Sequence, residues 1–190
     1  MYVLKLFFDT EFTGLHKDTT LISIGIIAEN GKKFYAEFGD YAIEQCDEWI
    51  QKNVIANMEF NMIETVVDEK GDKMTINGDK EFVADYLKQW LLQFDEIQFV
   101  SDVCHYDFVL LIDLFGSAWD LPENVNPACH DINQDIASYY EISEKDAFDK
   151  SREKIVDELC GQPIQGDKHN ALYDAEVIKA IYDEICCTKS

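Results

Sequence analysis

The sequence predicts an α/β fold in which a mixed sheet begins as an antiparallel three-strand meander, gains parallel strands and is flanked by helices. Three β-like runs open the chain, a strand–helix–strand–helix order follows, and the last third has helical spacing. The chain has 190 residues, of which 47% are hydrophobic, and it shows neither an internal repeat nor a shift in composition. We therefore expect one domain over residues 1–190.

The predicted meander consists of residues 3–8, 21–29 and 33–38. Asn30-Gly31 separates the second run from the third, and an Asn-Gly pair between two apolar runs is a strong hairpin signal. These three strands are therefore expected to pair antiparallel and to start the sheet.

The later elements follow from helical spacing and from end signals. A cap at Asn77 or Asp79 begins the clearest helix, Gly116 ends another, and residues 161–166 form a loop. The predicted elements are helices over residues 42–58 and 82–94, a short buried strand over 97–100, and helices over 107–114, 131–140, 144–159 and from 169 or 171 to 186.

Composition limits the class of function. A net charge of −22 and a single arginine, Arg152, argue against a processive clamp on duplex nucleic acid, because such a clamp holds phosphates with many Lys and Arg side chains. An enzyme that holds only the end of a strand can instead use metal ions to meet the phosphate charge. Residues 145–168 include five basic side chains, which are interpreted as a solvated face: Lys145, Lys150, Arg152, Lys154 and Lys168.

Targeting signals are not recognised in the sequence. Residues 1–8 are apolar but lack a basic leader and a cleavage site, and the longest apolar run, residues 21–28, is far shorter than a membrane span. The six cysteines follow no regular framework. We therefore expect a cytoplasmic protein with reduced thiols and no membrane partner.

Two acidic residues lie where the first strand meets a turn. Side chains alternate between the faces of a strand, so Asp9 and Glu11 point to one side and Thr10 to the other. Carboxylates about 4 to 5 Å apart repel by roughly 4 kcal/mol, which a divalent cation between them offsets. An isolated pair is commonly a solvated strand end; the apolar strand before it and Thr13-Gly14 after it favour a metal site.

A second set of polar residues lies near the other end of the chain. Asp174 falls in the first turns of the last predicted helix, and His169 precedes it by five positions. That spacing does not stack two ligands on one helical face. It suits a histidine on the entering loop that reaches over a metal-binding aspartate and accepts a proton from water. A capping or surface histidine is the alternative, and it is the interpretation for the other histidines: His16, His105 and His130.

With these residues identified, the chain resembles the DEDDh branch of the DnaQ-like 3′–5′ exonucleases in the RNase H-like superfamily. Residues 9–14, Asp-Thr-Glu-Phe-Thr-Gly, resemble the opening Asp-x-Glu-x-Thr-Gly motif, and residues 169–174 resemble the closing His-x-Ala-x-x-Asp motif. The sister branch carries a tyrosine four residues before the final aspartate, where this chain has Asn170. The family's middle aspartate corresponds to Asp107, with Asp102 as the competing candidate. Residues 8–12 and 105–108 are most similar to the short single-domain exoribonucleases of the RNase AS type, which trim polyadenylate.

The resemblance implies an RNase H-like fold and a metal-dependent 3′–5′ exoribonuclease that acts on the 3′ end of single-stranded RNA. Single-stranded DNA is the alternative substrate. Two Mg²⁺ or Mn²⁺ ions would be held by the four acids, with His169 as the general base: Asp9, Glu11, Asp107 and Asp174. The candidate substrate contacts are Phe12, Thr13 and Leu15, with core burial as the alternative for the two apolar ones. Related small enzymes imply a homodimer.

Two other functions stay open at this point. The −22 charge is compatible with a non-catalytic acidic protein that mimics nucleic acid and occupies a basic partner. Cys104-His105 and Cys129-His130 would offer zinc ligands, although their spacing departs from the usual Cys-x-x-Cys pattern. Residues 42–80 carry no motif that indicates a role.

Overall fold

In the computed structural model, which describes residues 2–60 and 65–187, the strands form one mixed sheet with helices on both faces. The strands of these ranges are β1 Leu4–Phe12, β2 Leu21–Ala28, β3 Lys33–Phe38, β4 Val66–Lys70, β5 Lys73–Gly78, β6 Ile97–Ser101 and β7 His130–Asp131. The α-helices are α1 Glu48–Asn53, α2 Lys80–Leu91, α3 Cys104–Phe115, α4 Ile132–Tyr140, α5 Glu144–Asp149, α6 Arg152–Cys160 and α7 Ala171–Tyr182. Among the described residues, no helix combines the length and the apolar character needed to cross a membrane.

The sheet has the predicted mixed topology. Its spatial order is β4-β5-β3-β2-β1-β6-β7. The pairs β1–β2 and β2–β3 are antiparallel, whereas β1–β6, β6–β7 and β3–β5 are parallel. The meander and the parallel additions are thus confirmed.

Alternation along β1 divides the core into two layers. Leu6 and Phe8 pack with residues of α2 and α3, whereas Phe7, between them, packs with residues of α4, α6 and α7. All eight residues of β2 are buried, because this central strand is covered on both faces. The face that carries Phe7 also carries Asp9 and Glu11, so α7 lies over both acids.

Two predicted helices are interrupted by capping residues. Asp47 adopts an extended conformation and accepts a hydrogen bond from the Ile50 backbone N–H, so residues 42–58 form α1 between the 3₁₀ turns Ile43–Gln45 and Ile55–Asn57. Ser151 caps α6 in the same way, which splits the helix predicted over residues 144–159. The apolar spacing continues across both breaks, and spacing alone therefore predicted continuous helices.

The hairpin of β4 and β5 was missed by the sequence prediction. Its turn, Gly71-Asp72, is a two-residue hairpin signal, and Gly71 takes a φ of 61°. The remaining differences are shifts of boundaries: β1 extends through both acids, and α3 begins three residues before Asp107. The last helix continues into a π-helical turn, Asp183–Cys187. Asp79, one of the two predicted caps, caps α2.

Gly25 on β2 allows the start of α7 to lie directly against the sheet. Gly25 pairs with Asp9 in the β1–β2 register. A Cβ atom at this position would lie 2.2 Å from the backbone nitrogen of Leu172 and 2.3 Å from the carbonyl carbon of Ala171. A side chain at this position would fit only if the whole of α7 moved away from the sheet. The glycine therefore sets the distance between α7 and the acids of β1.

The substitution Gly25→Ala is expected to lower the free energy of unfolding by about 3 kcal/mol, because the added methyl group displaces α7. It should also lower the predicted exonuclease activity, since α7 carries Asp174 and follows directly after the loop of His169. Urea denaturation and an exonuclease assay measure the two effects. Gly31→Ala is the control: its Cβ meets nothing within 4 Å, so only the strain of a φ of 89° remains. It should cost about 1 kcal/mol and leave activity unchanged. Equal loss of activity in both variants would contradict the role given to Gly25.

Candidate active site

The two acids of β1 lie beside the point where β6 ends. The pairing of β1 with β6 stops at Phe7 and Val100, and the chain then enters the first turn of α3. Asp9 and Glu11 follow on β1, on the face covered by α7. Beyond Phe7, the edge of β1 is therefore no longer covered by β6, and side chains from the start of α3 can pack against it.

Asp107 fills that edge from the first turn of α3. Its side chain is 1% exposed. The Thr10 hydroxyl donates a hydrogen bond of 2.6 Å to Oδ1, and the Ser101 hydroxyl donates to Oδ2. Thr10 thus points away from Asp9 and Glu11, as alternation predicts, and holds the third acid in place.

Asp174 and His169 approach from the other side, at the start of α7. Asn170 caps this helix by accepting from the backbone N–H groups of Leu172 and Tyr173. The His169 backbone N–H donates to Asp174 Oδ2 at 2.8 Å, and its Nδ1 lies 3.8 Å from Glu11 Oε1. His169 has a φ of 65°, a left-handed conformation that turns the chain into the helix. The histidine therefore occupies the entering loop, above the aspartate, as its spacing predicted.

Two groups of ligand atoms result. One oxygen or nitrogen atom from each of Glu11, His169 and Asp174 lies within 4.8 Å of the others. The same holds for oxygens of Asp9, Asp102 and Asp107. All six residues line one cleft of about 330 Å³. The structure brings the five predicted catalytic residues together and adds Asp102, so the two candidates for the middle acid are both present.

Burial and mutual repulsion raise the pKa of each of the four acids predicted to bind cations. Burial first, then the carboxylates of Asp107, Asp174 and Glu11, raises the pKa of Asp9 well above its ordinary value. Burial is also the largest cause for the others: it raises the pKa of Glu11 to about 8 and the pKa values of Asp107 and Asp174 to about 7. The site thus holds more negative charge than the fold tolerates unaided.

Divalent cations of the Mg²⁺ type fit this donor set. The donors are hard carboxylate oxygens with one imidazole, and the described residues form no hydrogen bond to the Asp9 carboxylate. Asp9, Glu11, Asp107 and Asp174 would hold the ions.

Divalent cations are expected to stabilise the protein more at high pH than at low pH. The folded-state pKa values of these acids exceed the unfolded value of about 4, so their stabilising contribution is present below that pH and is lost as pH rises through about 7 to 8. Cations bind the ionised form and reverse the loss. Thermal denaturation should show Mg²⁺ raising Tm by several degrees at about pH 8.5 and by little at about pH 5. NaCl at matched ionic strength is the control. A Mg²⁺ effect independent of pH would argue against cation binding by these acids.

The predicted substrate contacts have different environments. Phe12 lines the cleft and stacks on Tyr106, with ring centroids 5.3 Å apart and planes inclined by 11°. Leu15 also lines the cleft and is 77% exposed, so it is not a core residue. Thr13 is fully buried and lies outside the cleft lining; its hydroxyl accepts from the Thr20 backbone N–H at 3.0 Å. Thr13 therefore stabilises the turn after β1 instead of facing a substrate.

Residues 42–58, which had no assigned role, contact the loop that carries His169. Trp49 of α1 is 53% exposed and meets the His169 ring edge to face at 4.9 Å. Asn57 donates a hydrogen bond of 3.1 Å to the Lys168 carbonyl oxygen. This segment supports the general-base candidate, a role that its apolar spacing does not indicate.

Arg152 does not belong to a solvated basic face. Its side chain is only 14% exposed and lines the cleft. Its Nε donates to Asp102 Oδ2 at 2.8 Å. Sequence spacing placed Arg152 among exposed lysines, because the interruption of the helix at Ser151 was not predicted.

The zinc interpretation is not supported. The sulfur atoms of Cys104 and Cys129 lie 3.0 Å apart. His130 Nε2, however, is engaged by Asp135, and His105 is exposed. Within residues 2–60 and 65–187, these side chains do not form a group of three donors.

Comparison with known proteins places the geometry in a family. The model of the 3′–5′ exoribonuclease Rv2179c-like domain family matches residues 4–186. The 3′–5′ exoribonuclease Rv2179c of Mycobacterium tuberculosis (strain ATCC 25618 / H37Rv) is 25% identical over 131 residues, which cover 69% of this chain and 73% of the relative.

Solved structures share the fold across nearly the whole chain. The nuclease domain of 3′hExo, a DEDDh family member bound to rAMP, has a TM-score of 0.68 and 11% identity, covering 99% of this chain and 94% of that one. A second structure describes 3′-end-specific recognition of the histone mRNA stem-loop by a 3′-exonuclease. Its TM-score is 0.67 at 11% identity, and the match covers 99% of this chain and 83% of that one. At these identities the likeness shows the fold, and it confirms the RNase H-like prediction.

The family match spans the segments that carry all five predicted catalytic residues. It favours an enzyme over the non-catalytic acidic mimic, and it confirms the exonuclease predicted from the two outer motifs. The chain therefore belongs to the Rv2179c-like 3′–5′ exoribonuclease domain family and is a 3′–5′ exonuclease.

Proposed function

We propose that the protein removes nucleotides from the 3′ end of single-stranded RNA in a reaction that depends on divalent cations. The observation that carries the proposal is the convergence of four acids and His169 on one cleft. The similar mycobacterial protein is named a 3′–5′ exoribonuclease, and the similar 3′hExo domain binds rAMP. These relatives favour RNA over DNA.

The acids divide the cation binding between them. Glu11 and Asp174 would hold one ion, Asp107 would hold the second, and Asp9 would contact both, because it belongs to the second group and lies close enough to Glu11 and Asp174 for their charges to raise its pKa. When bound, Mg²⁺ or Mn²⁺ supplies positive charge that stabilises the scissile phosphate and the leaving 3′ oxygen. Thr10 and Ser101 keep Asp107 oriented through its two oxygens.

His169 would act as the general base. Partial burial, followed by the positive charge of Lys168, lowers the pKa of His169 below its ordinary 6.5. The imidazole is therefore neutral at physiological pH and able to accept a proton from the attacking water. The neighbouring Trp49 ring and the Lys168 carbonyl contact to Asn57 hold the loop in place.

The cleft has an aromatic wall suited to unpaired bases. Phe12 and Leu15 line the cleft, and Tyr106 stacks against Phe12 from outside the lining. Aromatic faces bind successive bases without strong sequence preference. Since the −22 charge leaves few cationic contacts for a long strand, we propose that only the terminal nucleotides are held.

Phe12→Ala is expected to raise KM for single-stranded RNA about tenfold and to change kcat less, because the variant loses base stacking but keeps every acid. Steady-state kinetics on a short RNA measures both constants. Trp119→Ala is the matched control, since Trp119 is 96% exposed and lies outside the cleft lining. If the two variants behaved alike, base stacking on Phe12 would be ruled out.

The function is tested with 5′-labelled RNA and DNA of one sequence, each single-stranded, in Mg²⁺, Mn²⁺ or chelator. Stepwise shortening from the 3′ end of the RNA, lost in chelator, is the expected result. Polyadenylate against mixed RNA then decides whether adenine is preferred. Preferential digestion of DNA would replace the substrate, and no cation-dependent nucleotide release from any polymer would overturn the proposal. The homodimer and the cytoplasmic location implied by the sequence stay predictions; light scattering tests the first.

A further inference from the structure

Asp102 is a carboxylate at the centre of the site that the four-acid pattern does not use. It lies in the turn between β6 and α3. One of its oxygens is within 4.8 Å of oxygens from both Asp9 and Asp107. The side chain is 17% exposed and lines the same cleft as the predicted acids.

Arg152 holds Asp102 in that position through a closed network. Besides its Nε bond to Asp102 Oδ2, Arg152 donates from Nη1 to the carbonyl oxygens of Ala147 and Lys150 and from Nη2 to Asn133 Oδ1. Asn133, itself 4% exposed, donates back to the Asp102 carbonyl oxygen at 2.7 Å. Backbone and side chain of Asp102 are thus both fixed by the α4–α6 region.

The network leaves one oxygen of Asp102 available. Arg152 engages Oδ2, and the described residues form no hydrogen bond to Oδ1. Arg152 is also the only arginine of the chain, and its guanidinium donates to four partners instead of facing solvent. A largely buried network of this kind fixes the position of the Asp102 carboxylate, which an exposed surface ion pair would not do.

The charge balance of the cleft explains why Asp102 is paired with an arginine. Six carboxylates line the cleft, and one of them, Glu153, is paired with Lys168. The other five, when ionised, carry five negative charges, which two divalent cations and the Arg152 guanidinium offset. Four carboxylates without Arg152 would give the same balance, so Asp102 and Arg152 form a neutral unit added to the four-acid site. This unit brings another oxygen ligand to the cluster without adding net charge.

We propose that Asp102 is a fifth carboxylate for the cation shared by Asp9 and Asp107, and that Arg152 is its positioning residue. The inference rests on the two-cation part of the proposed function. Its consequence is that the binding of this cation depends on a residue contributed from α6, outside the family motifs found in the sequence.

Calorimetric titration of Mn²⁺ tests the inference without measuring catalysis. Asp102→Asn keeps the size of the side chain and an acceptor for Arg152, so folding should persist; thermal denaturation in chelator checks this. We expect two Mn²⁺ ions per wild-type chain and a loss of about tenfold or more in affinity at one site in the variant. Arg152→Lys, which keeps the charge but not the planar set of donors, should weaken the same site. Asp113→Asn is the control, because Asp113 lies near the other end of α3 and pairs with Lys80 in an exposed ion pair.

The outcomes separate this inference from the proposed function. Unchanged Mn²⁺ affinities in Asp102→Asn, with a lowered Tm, would show a purely structural role and overturn the inference. A wild-type protein that binds only one Mn²⁺ would overturn it as well, even if RNA is digested. Weakened binding in both site variants, in a protein that digests neither RNA nor DNA, would support the inference while the proposed function fails.

Discussion

Replacing Asp9 with asparagine is expected to reduce exonuclease activity at least about a thousandfold while stabilising the metal-free protein. Asp9 belongs to one group of donors and interacts electrostatically with Glu11 and Asp174 of the other, so its loss should weaken both cation sites at once. In the metal-free protein the same carboxyl is half-buried among other acids and receives no hydrogen bond from the described residues. Asparagine has the same shape without the charge, and it removes the repulsion.

The gain in stability should depend on pH in a defined direction. The pKa of Asp9 is raised by burial and then by its acidic neighbours, so the wild-type carboxyl destabilises the fold increasingly as pH rises above the unfolded value of about 4. Urea denaturation in chelator should therefore show a larger advantage for Asp9→Asn at about pH 8 than at about pH 5.

Asp113→Asn is again the matched control, since it removes one exposed charge and should change neither property. Near wild-type activity in Asp9→Asn at limiting Mg²⁺ would contradict the central role of this acid. A fall in metal-free stability would show that Asp9 is instead satisfied by the fold. The opposite directions of the two effects distinguish a site residue from a structural one, because a structural residue would lose both.

Local rules were sufficient to predict the outer parts of the site. Alternation along β1 placed Asp9 and Glu11 on one face, and the spacing of five between His169 and Asp174 predicted a loop histidine above a helix aspartate. Both rules use only neighbours in the chain. The middle acid depends on where α3 meets β1, so the sequence left Asp102 and Asp107 as competitors, and the structure places both in the cluster.

Other features of the site depend on contacts between distant segments. Nothing in the sequence distinguishes Gly25 from the other glycines. Only the structure shows that the backbone of α7 packs against its Cα and leaves no room for a side chain. Trp49 reaches His169, and Arg152 reaches Asp102, across long sequence separations. The spacing of apolar residues along the chain does not predict contacts between such distant residues. Asp47 and Ser151, by contrast, are residue types that commonly cap helices. Both caps could have been predicted from the sequence, but the apolar spacing continues across them and favoured unbroken helices.

His169→Gln is expected to lower kcat by about 10² to 10⁴ and to leave KM almost unchanged. The variant loses the proton acceptor but retains all the carboxylates, so substrate and cations still bind. Single-turnover rates at saturating Mn²⁺ measure the effect with the cation sites filled. His16→Gln, an exposed histidine outside the cleft lining, is the control. A His169 variant with wild-type kcat would exclude the general base.

The pH profile tests the same role through the environment of the ring. Partial burial and Lys168 lower the pKa of His169, so the neutral base persists below pH 6.5 and the acid limb of kcat should lie there. The limb should disappear in His169→Gln. Lys168→Gln removes a nearby positive charge and frees Glu153 from its ion pair, and both changes favour the imidazolium. The acid limb should therefore move to higher pH in this variant while the rate on the plateau is kept. A limb that stays in place would mean that another group sets the pH dependence, and the carboxylates around the cations would be the next candidates.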